Sequence, residues 1–129
     1  MKLAIANRSA TVTSRDALLT ALETRDQRGG GEFWLASEAG HLPALAIRLS
    51  GQLADVHYFP GDGHPGFRLL GDLDLPIGGT TLFVYEGCDP FSGEFVPNEF
   101  VTSASKALSI AGDFFETSQK PEPGSWFEL

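Results

Sequence analysis

The sequence predicts an α+β fold: a curved, mainly antiparallel sheet with an N-terminal and a C-terminal helix packed on it. Three observations carry this. Two amphipathic helical stripes lie towards the two ends of the chain. Between them, short β-rich runs are separated by Gly and Pro at hairpin spacing. And 129 residues, 42% hydrophobic and 20% charged, suit one domain, residues 1–129, with no length left for a second core of normal size.

Met1 to Ala6 opens like an export signal, but Asn7 and Arg8 end the apolar run too early for one. No apolar run of about 18 residues is available for a membrane helix. Cys88 is the single cysteine, so no internal disulfide can form. A cytoplasmic location is expected. The first helix should open at Thr13 or Ser14, with Asp16 complementing the N-terminal dipole. Ala17, Leu18, Ala21 and Leu22 form its apolar stripe, Arg25 and Arg28 fall in its last turn, and Gly29-Gly30-Gly31 stops it.

Phe33 to Ser37 reads as a strand in which Trp34 is expected to be core. Pro43 to Ser50 alternates, with Leu45, Ile47 and Leu49 on one face and Ala44, Ala46 and Arg48 on the other. Ser50-Gly51-Gln52 turns the chain into Leu53 to Phe59, where Asp55 and His57 share the face opposite Ala54, Val56 and Tyr58. Thr80 to Glu86, Glu94 to Val96 and Trp126-Phe127 are further strands. The second helix opens at Ser103 and carries Ala107, Leu108, Ala111, Phe114 and Phe115 on one stripe. Gly112 weakens it slightly, and Pro121 and Pro123 prevent its continuation. Trp126 is expected to fold back and be largely buried.

Several chemistries lack the residues they need. His41, His57, His64 and Cys88 follow no zinc-ligand spacing, so no metal or other cofactor is expected. No GxSxG occurs, and the acids flanking Cys88 oppose a thiolate. The glycine-rich run from Gly61 to Gly66 carries Asp62 and no following Lys, which disfavours phosphate. One enzymatic alternative stands: Asp55 and His57 as an orienter–base pair with His64 nearby. A protein-binding adaptor using the same face is another.

The formal net charge is −8, and it is unevenly spread. Residues 1–65 hold six basic and seven acidic side chains, whereas residues 66–129 hold three and ten. No basic residue lies between Arg68 and Lys106, while Asp72, Asp74, Glu86, Asp89, Glu94 and Glu99 all do. Such a half repels nucleic acid and attracts a basic protein, or else its acidity serves solubility alone. The run from His57 to Phe67, HYFPGDGHPGF, joins rings, two prolines and three glycines into a stiff loop. It suits either a preformed contact surface or a tight connector whose phenylalanines plug the core.

That run, the strand TLFVYEG, Val96-Pro97 and the ending FFETSQKPEPGSWFEL resemble, over roughly residues 15–129, the immunity-protein-one family of bacterial polymorphic toxin systems. Phe114-Phe115, Thr117, Pro121 and Trp126 to Leu129 are similar to immunity proteins of cytosine deaminase toxins that act on double-stranded DNA. One departure is Ala104-Ser105-Lys106, where acidic residues are expected early in the last helix. The resemblance implies a non-enzymatic inhibitor, a toxin domain as its partner in a 1:1 complex, and no direct contact with nucleic acid or membrane. An acidic protein filling a basic substrate groove agrees with that implication. The candidate contacts are Asp55, His57, Asp62, His64, Asp72, Asp74, Glu86, Asp89, Glu94 and Glu99.

Overall fold

A computed structural model describes residues 1–5, 8–26, 29–85, 93–122 and 124–129. The chain runs β1 (Lys2–Ile5), β2 (Arg8–Thr11), α1 (Arg15–Glu23), β3 (Gly30–Ala36), β4 (Ala44–Ser50), β5 (Leu53–Phe59) and β6 (Phe67–Leu69). It continues through β7 (Thr80–Phe83), β8 (Glu94–Pro97), a 3-10 turn (Asn98–Phe100), β9 (Thr102–Ser103), α2 (Ala104–Thr117) and β10 (Trp126–Glu128). Every recorded strand pairing is antiparallel. The large sheet has the order β10-β6-β5-β4-β3-β1-β2, with β9 also paired to β5, and β7–β8 is a separate hairpin. The expected α+β architecture is therefore present.

Both helices pack on one sheet face. Leu18 and Leu22 of α1, and Ala107, Ile110, Ala111 and Phe114 of α2, form one core with Leu45, Ile47, Leu49, Ala54, Val56 and Tyr58. Ser14 caps α1 by accepting from the Ala17 amide, and Ser103 caps α2 by accepting from the Lys106 amide. The first helix is shorter than its pattern predicts. It ends at Thr24, whose extended backbone breaks the helix before the glycines. Arg25 lies beyond that end yet still donates to the Leu22 carbonyl at 2.7 Å, and Arg28 lies outside the described residues.

Gly30 and Gly31 instead begin β3. A Cβ on Gly30 would sit 2.4 Å from the Leu49 carbonyl oxygen and 2.5 Å from that of Val84, so only glycine lets the chain after β7 cross here. On the other sheet face the β7–β8 hairpin and the 3-10 turn enclose a second, smaller core of Phe83, Tyr85, Val96, Phe100 and Val101. Lys2–Ile5, for which the sequence pattern names no element, is a strand, because Leu3 has a core to enter. Three further expectations change. The strand expected over Thr80 to Glu86 stops at Phe83, and Glu86 lies outside the described residues. Trp34 is 43% exposed rather than core, since its side chain falls on the sheet face away from the helices. Trp126 is partly rather than largely buried, being on the last strand at the sheet's edge.

Candidate functional site

The register decides which side chains meet on the face away from the helices. The Gly51-Gln52 turn pairs Ser50 with Leu53, which places Arg48 opposite Asp55 and Ala46 opposite His57. Across β3, Trp34 pairs with Ala46 and Glu32 with Arg48. On the other side, His57 pairs with Arg68, and Arg68 with Phe127. Because strand side chains alternate, this face collects Glu32, Trp34, Arg48, Asp55, His57, Phe59, Arg68 and Phe127.

Asp55 is the centre of one half of that face. It is 0% exposed. Its Oδ2 accepts from Arg48 Nη2 at 2.6 Å and from Arg68 Nη2 at 3.2 Å, and its Oδ1 accepts from Arg68 Nε at 3.3 Å. Arg48 also donates to Glu94, and the Tyr85 hydroxyl donates to the other oxygen of that carboxylate. Glu94 thereby ties the hairpin to the sheet. Burial would depress the Arg48 guanidinium, but the field of Asp55 and the bonds to Glu94 and Tyr85 hold it above its ordinary value. Burial likewise opposes ionised Glu94, yet its bonds to Arg48 and Tyr85 keep its carboxyl below the usual value. Arg68 lies 4.4 Å from the centre of the Phe100 ring.

The other half is aromatic. Trp34 stacks on Phe59 at 5.5 Å between ring centres, and Phe59 stacks on His57 at 5.8 Å, both near parallel. Ala44 and Ala46 lie beneath, both nearly buried. Burial pushes the His57 imidazole down to about 4, with Arg68 and Arg48 reinforcing the effect against Asp55 and Glu94. The sign is therefore fixed. Between pH 6.5 and about 4 the unfolded ring takes up a proton that the folded ring refuses, so this group's contribution is lost as pH falls through that window. One proton gives a slope of at most about 1.4 kcal/mol per pH unit. Urea midpoints measured at pH 7 and pH 4.5 should fall less in His57→Gln than in the native chain. Equal falls would show that His57 carries none of the acid sensitivity.

The expected site residues divide into groups. Asp55 and Glu94 belong to the ion network, and His57 to the ring stack. Asp62, Asp72, Asp74 and Glu99 are exposed on connecting segments, with Asp72 3.4 Å from Lys106. Glu86 and Asp89, like Cys88, lie outside the described residues. His64 accepts from the Gly66 amide through Nδ1 at 2.8 Å, which leaves Nε2–H to donate to Glu128 at 2.9 Å. Its ring also stacks on Phe67 at 5.0 Å. It thus knits the glycine-rich loop to β10. Within that loop Gly63 and Gly66, but not Gly61, take positive φ.

Arg48, Arg68, Trp34, Phe59 and Tyr85 were not among the expected site residues. The Arg48–Asp55 pair was legible, since a two-residue turn at Gly51-Gln52 fixes that register. Arg68 was not, because β6 reaches β5 through a long loop. Nor does Asp55 serve as an orienter. Its oxygens face two guanidiniums, and among the described residues no hydrogen bond joins it to His57. Among the described residues no three His, Cys, Asp or Glu side chains converge as a metal site would require. Among those residues no helix is long and apolar enough to cross a membrane. No family model matches the chain. Over 115 residues, 88% of each chain, it is 30% identical to the double-stranded DNA deaminase immunity protein of Burkholderia cenocepacia (strain H111).

Proposed function

The chain belongs to the family of deaminase-toxin immunity proteins, and from that premise we propose that it binds a cognate deaminase toxin and occludes its active site. The toxin is a nucleic-acid deaminase, in keeping with the relative's name, and its substrate groove is basic because it must hold phosphates. The complex is a 1:1 heterodimer formed in the cytoplasm, and it protects the producing cell and its kin in interbacterial competition. The chain performs no catalysis of its own and touches neither nucleic acid nor membrane.

The observation that carries this reading is the distribution of charge. Arg48 and Arg68 on the open sheet face are offset by Asp55 and Glu94, while Asp62, Asp72, Asp74 and Glu99 stand exposed. Glu86 and Asp89 add to the same acidic stretch of sequence. A groove built to hold phosphates is drawn to such a surface over several ångströms, and the encounter is steered. His64 holds in place the 60–66 loop that carries Asp62.

Co-expression with its cognate deaminase toxin should restore growth, and the purified protein should stop deamination of a DNA substrate. The association rate should fall about tenfold or more as salt rises from about 0.01 M to about 0.15 M. A toxin that stays active beside an equimolar amount of this protein refutes the proposal. A salt-independent rate removes steering from it.

A further inference from the structure

The stack of Trp34, Phe59 and His57 is more than a by-product of folding. A strand residue with nearly half of a large indole exposed, over a floor of alanines, leaves an apolar plate open to solvent among the described residues. The plate has an acidic edge. Trp34 Nε1 donates to Glu32 Oε1 at 3.3 Å. His57 is an uncharged ring at neutral pH, so it adds no cation.

These features select an occupant. A nucleobase also stacks on aromatic rings, but it brings a phosphate, and this chain carries a net charge of −8. Arg48 and Arg68 beside the plate are held by Asp55 and Glu94 together, which leaves Lys2, on this face by the β1–β3 register, as the cation there without an ion pair among the described residues. A planar cation fits instead: its face lies on the indole and its N–H groups reach a carboxylate. We propose that the Trp34–Phe59–His57 plate, with Glu32 at its edge, receives arginine side chains from the basic groove of the protein partner. This rests on the immunity reading and names the surface it uses.

The test measures the affinity of the native chain, Trp34→Ala, Trp34→Leu and Trp34→Phe for the cognate deaminase toxin, with thermal melts as the folding control. Trp34→Ala should bind about thirtyfold or more weakly, as a central aromatic anchor does. Trp34→Phe keeps a ring face and should retain most of the affinity, whereas Trp34→Leu should not. Should Trp34→Ala fail to fold, the Leu and Phe variants carry the comparison. Undiminished binding by Trp34→Ala overturns the inference and leaves the proposed function standing. Equal binding by the Leu and Phe variants shows plain apolar docking and overturns the arginine. Binding of a single-stranded DNA oligonucleotide that Trp34→Ala abolishes would make the plate a base platform and overturn it as well. If the native chain itself does not bind the deaminase, the proposed function fails and this inference fails with it.

Discussion

Replacing Asp55 with Ala should cost about 3–5 kcal/mol of folding stability, the penalty of leaving buried charge unpaired. Asp55 is fully buried and is the counter-ion of both Arg48 and Arg68, whose side chains are only 16% and 15% exposed. Without it, two guanidiniums face each other beneath the hairpin. Arg48 keeps Glu94 and Arg68 keeps the Phe100 ring, so each is held in place rather than freed to reach water. Asp55→Asn keeps the shape but not the charge, and should lose most of the same amount. The loss is specific to an unbalanced charge. Replacing Asp55, Arg48 and Arg68 together with apolar residues of similar volume should therefore recover most of the stability. Urea unfolding of the single and triple variants decides this. A loss under about 1 kcal/mol for Asp55→Ala would mean that water reaches the network and screens it.

Deleting residues 122–129 should be comparably severe. The deletion removes β10 and with it every pairing that covers the outer edge of β6. Three backbone or indole hydrogen bonds go at once: Leu70 amide to the Ser125 carbonyl at 2.7 Å, Leu129 amide to the Gly66 carbonyl at 3.0 Å, and Trp126 Nε1 to the Pro121 carbonyl at 2.9 Å. The Glu128 carboxylate that accepts from His64 is lost as well. Trp126 packs on the core and lies 6.3 Å from the ring of Tyr58, so part of an aromatic's burial is lost too. Truncating a wholly buried aromatic costs about 3–5 kcal/mol, which sets the scale for a partly buried one plus a strand. That is a large share of the roughly 5–15 kcal/mol available to a domain.

The expected result is a much lower melting temperature, fast amide exchange across residues 64–70, and loss of toxin protection with loss of fold. A truncated protein that stays folded but fails to neutralise places the tail in the interface. One that folds and still protects shows that the tail serves neither purpose.

The sequence alone determined the parts of this protein that local rules govern. The serine caps at Ser14 and Ser103, the apolar stripe from Ala107 to Phe115 and the alternation through β4 and β5 need only neighbours a few residues away. The Gly51-Gln52 hairpin also made Arg48 and Asp55 partners without any knowledge of the rest of the sheet. The resemblance carried over the C-terminal ring-rich ending pointed to the family that the 30% identical relative establishes.

What only the tertiary structure decided lies beyond such reach. Nothing near Trp34 says whether its face is covered, because that depends on a hairpin about fifty residues later in the chain, and β7–β8 lies against the neighbouring Arg48 and Asp55. Arg68 and Glu94 become partners of those residues through long connections, and no sequence periodicity spans a long loop. The acids that looked alike in the sequence were separated by the same events. Asp55 is wholly buried and serves the fold, while Asp62, Asp74 and Glu99 face solvent. Composition counts charge, but only packing assigns each charge a dielectric, and the dielectric determines whether a carboxylate holds the protein together or meets a partner.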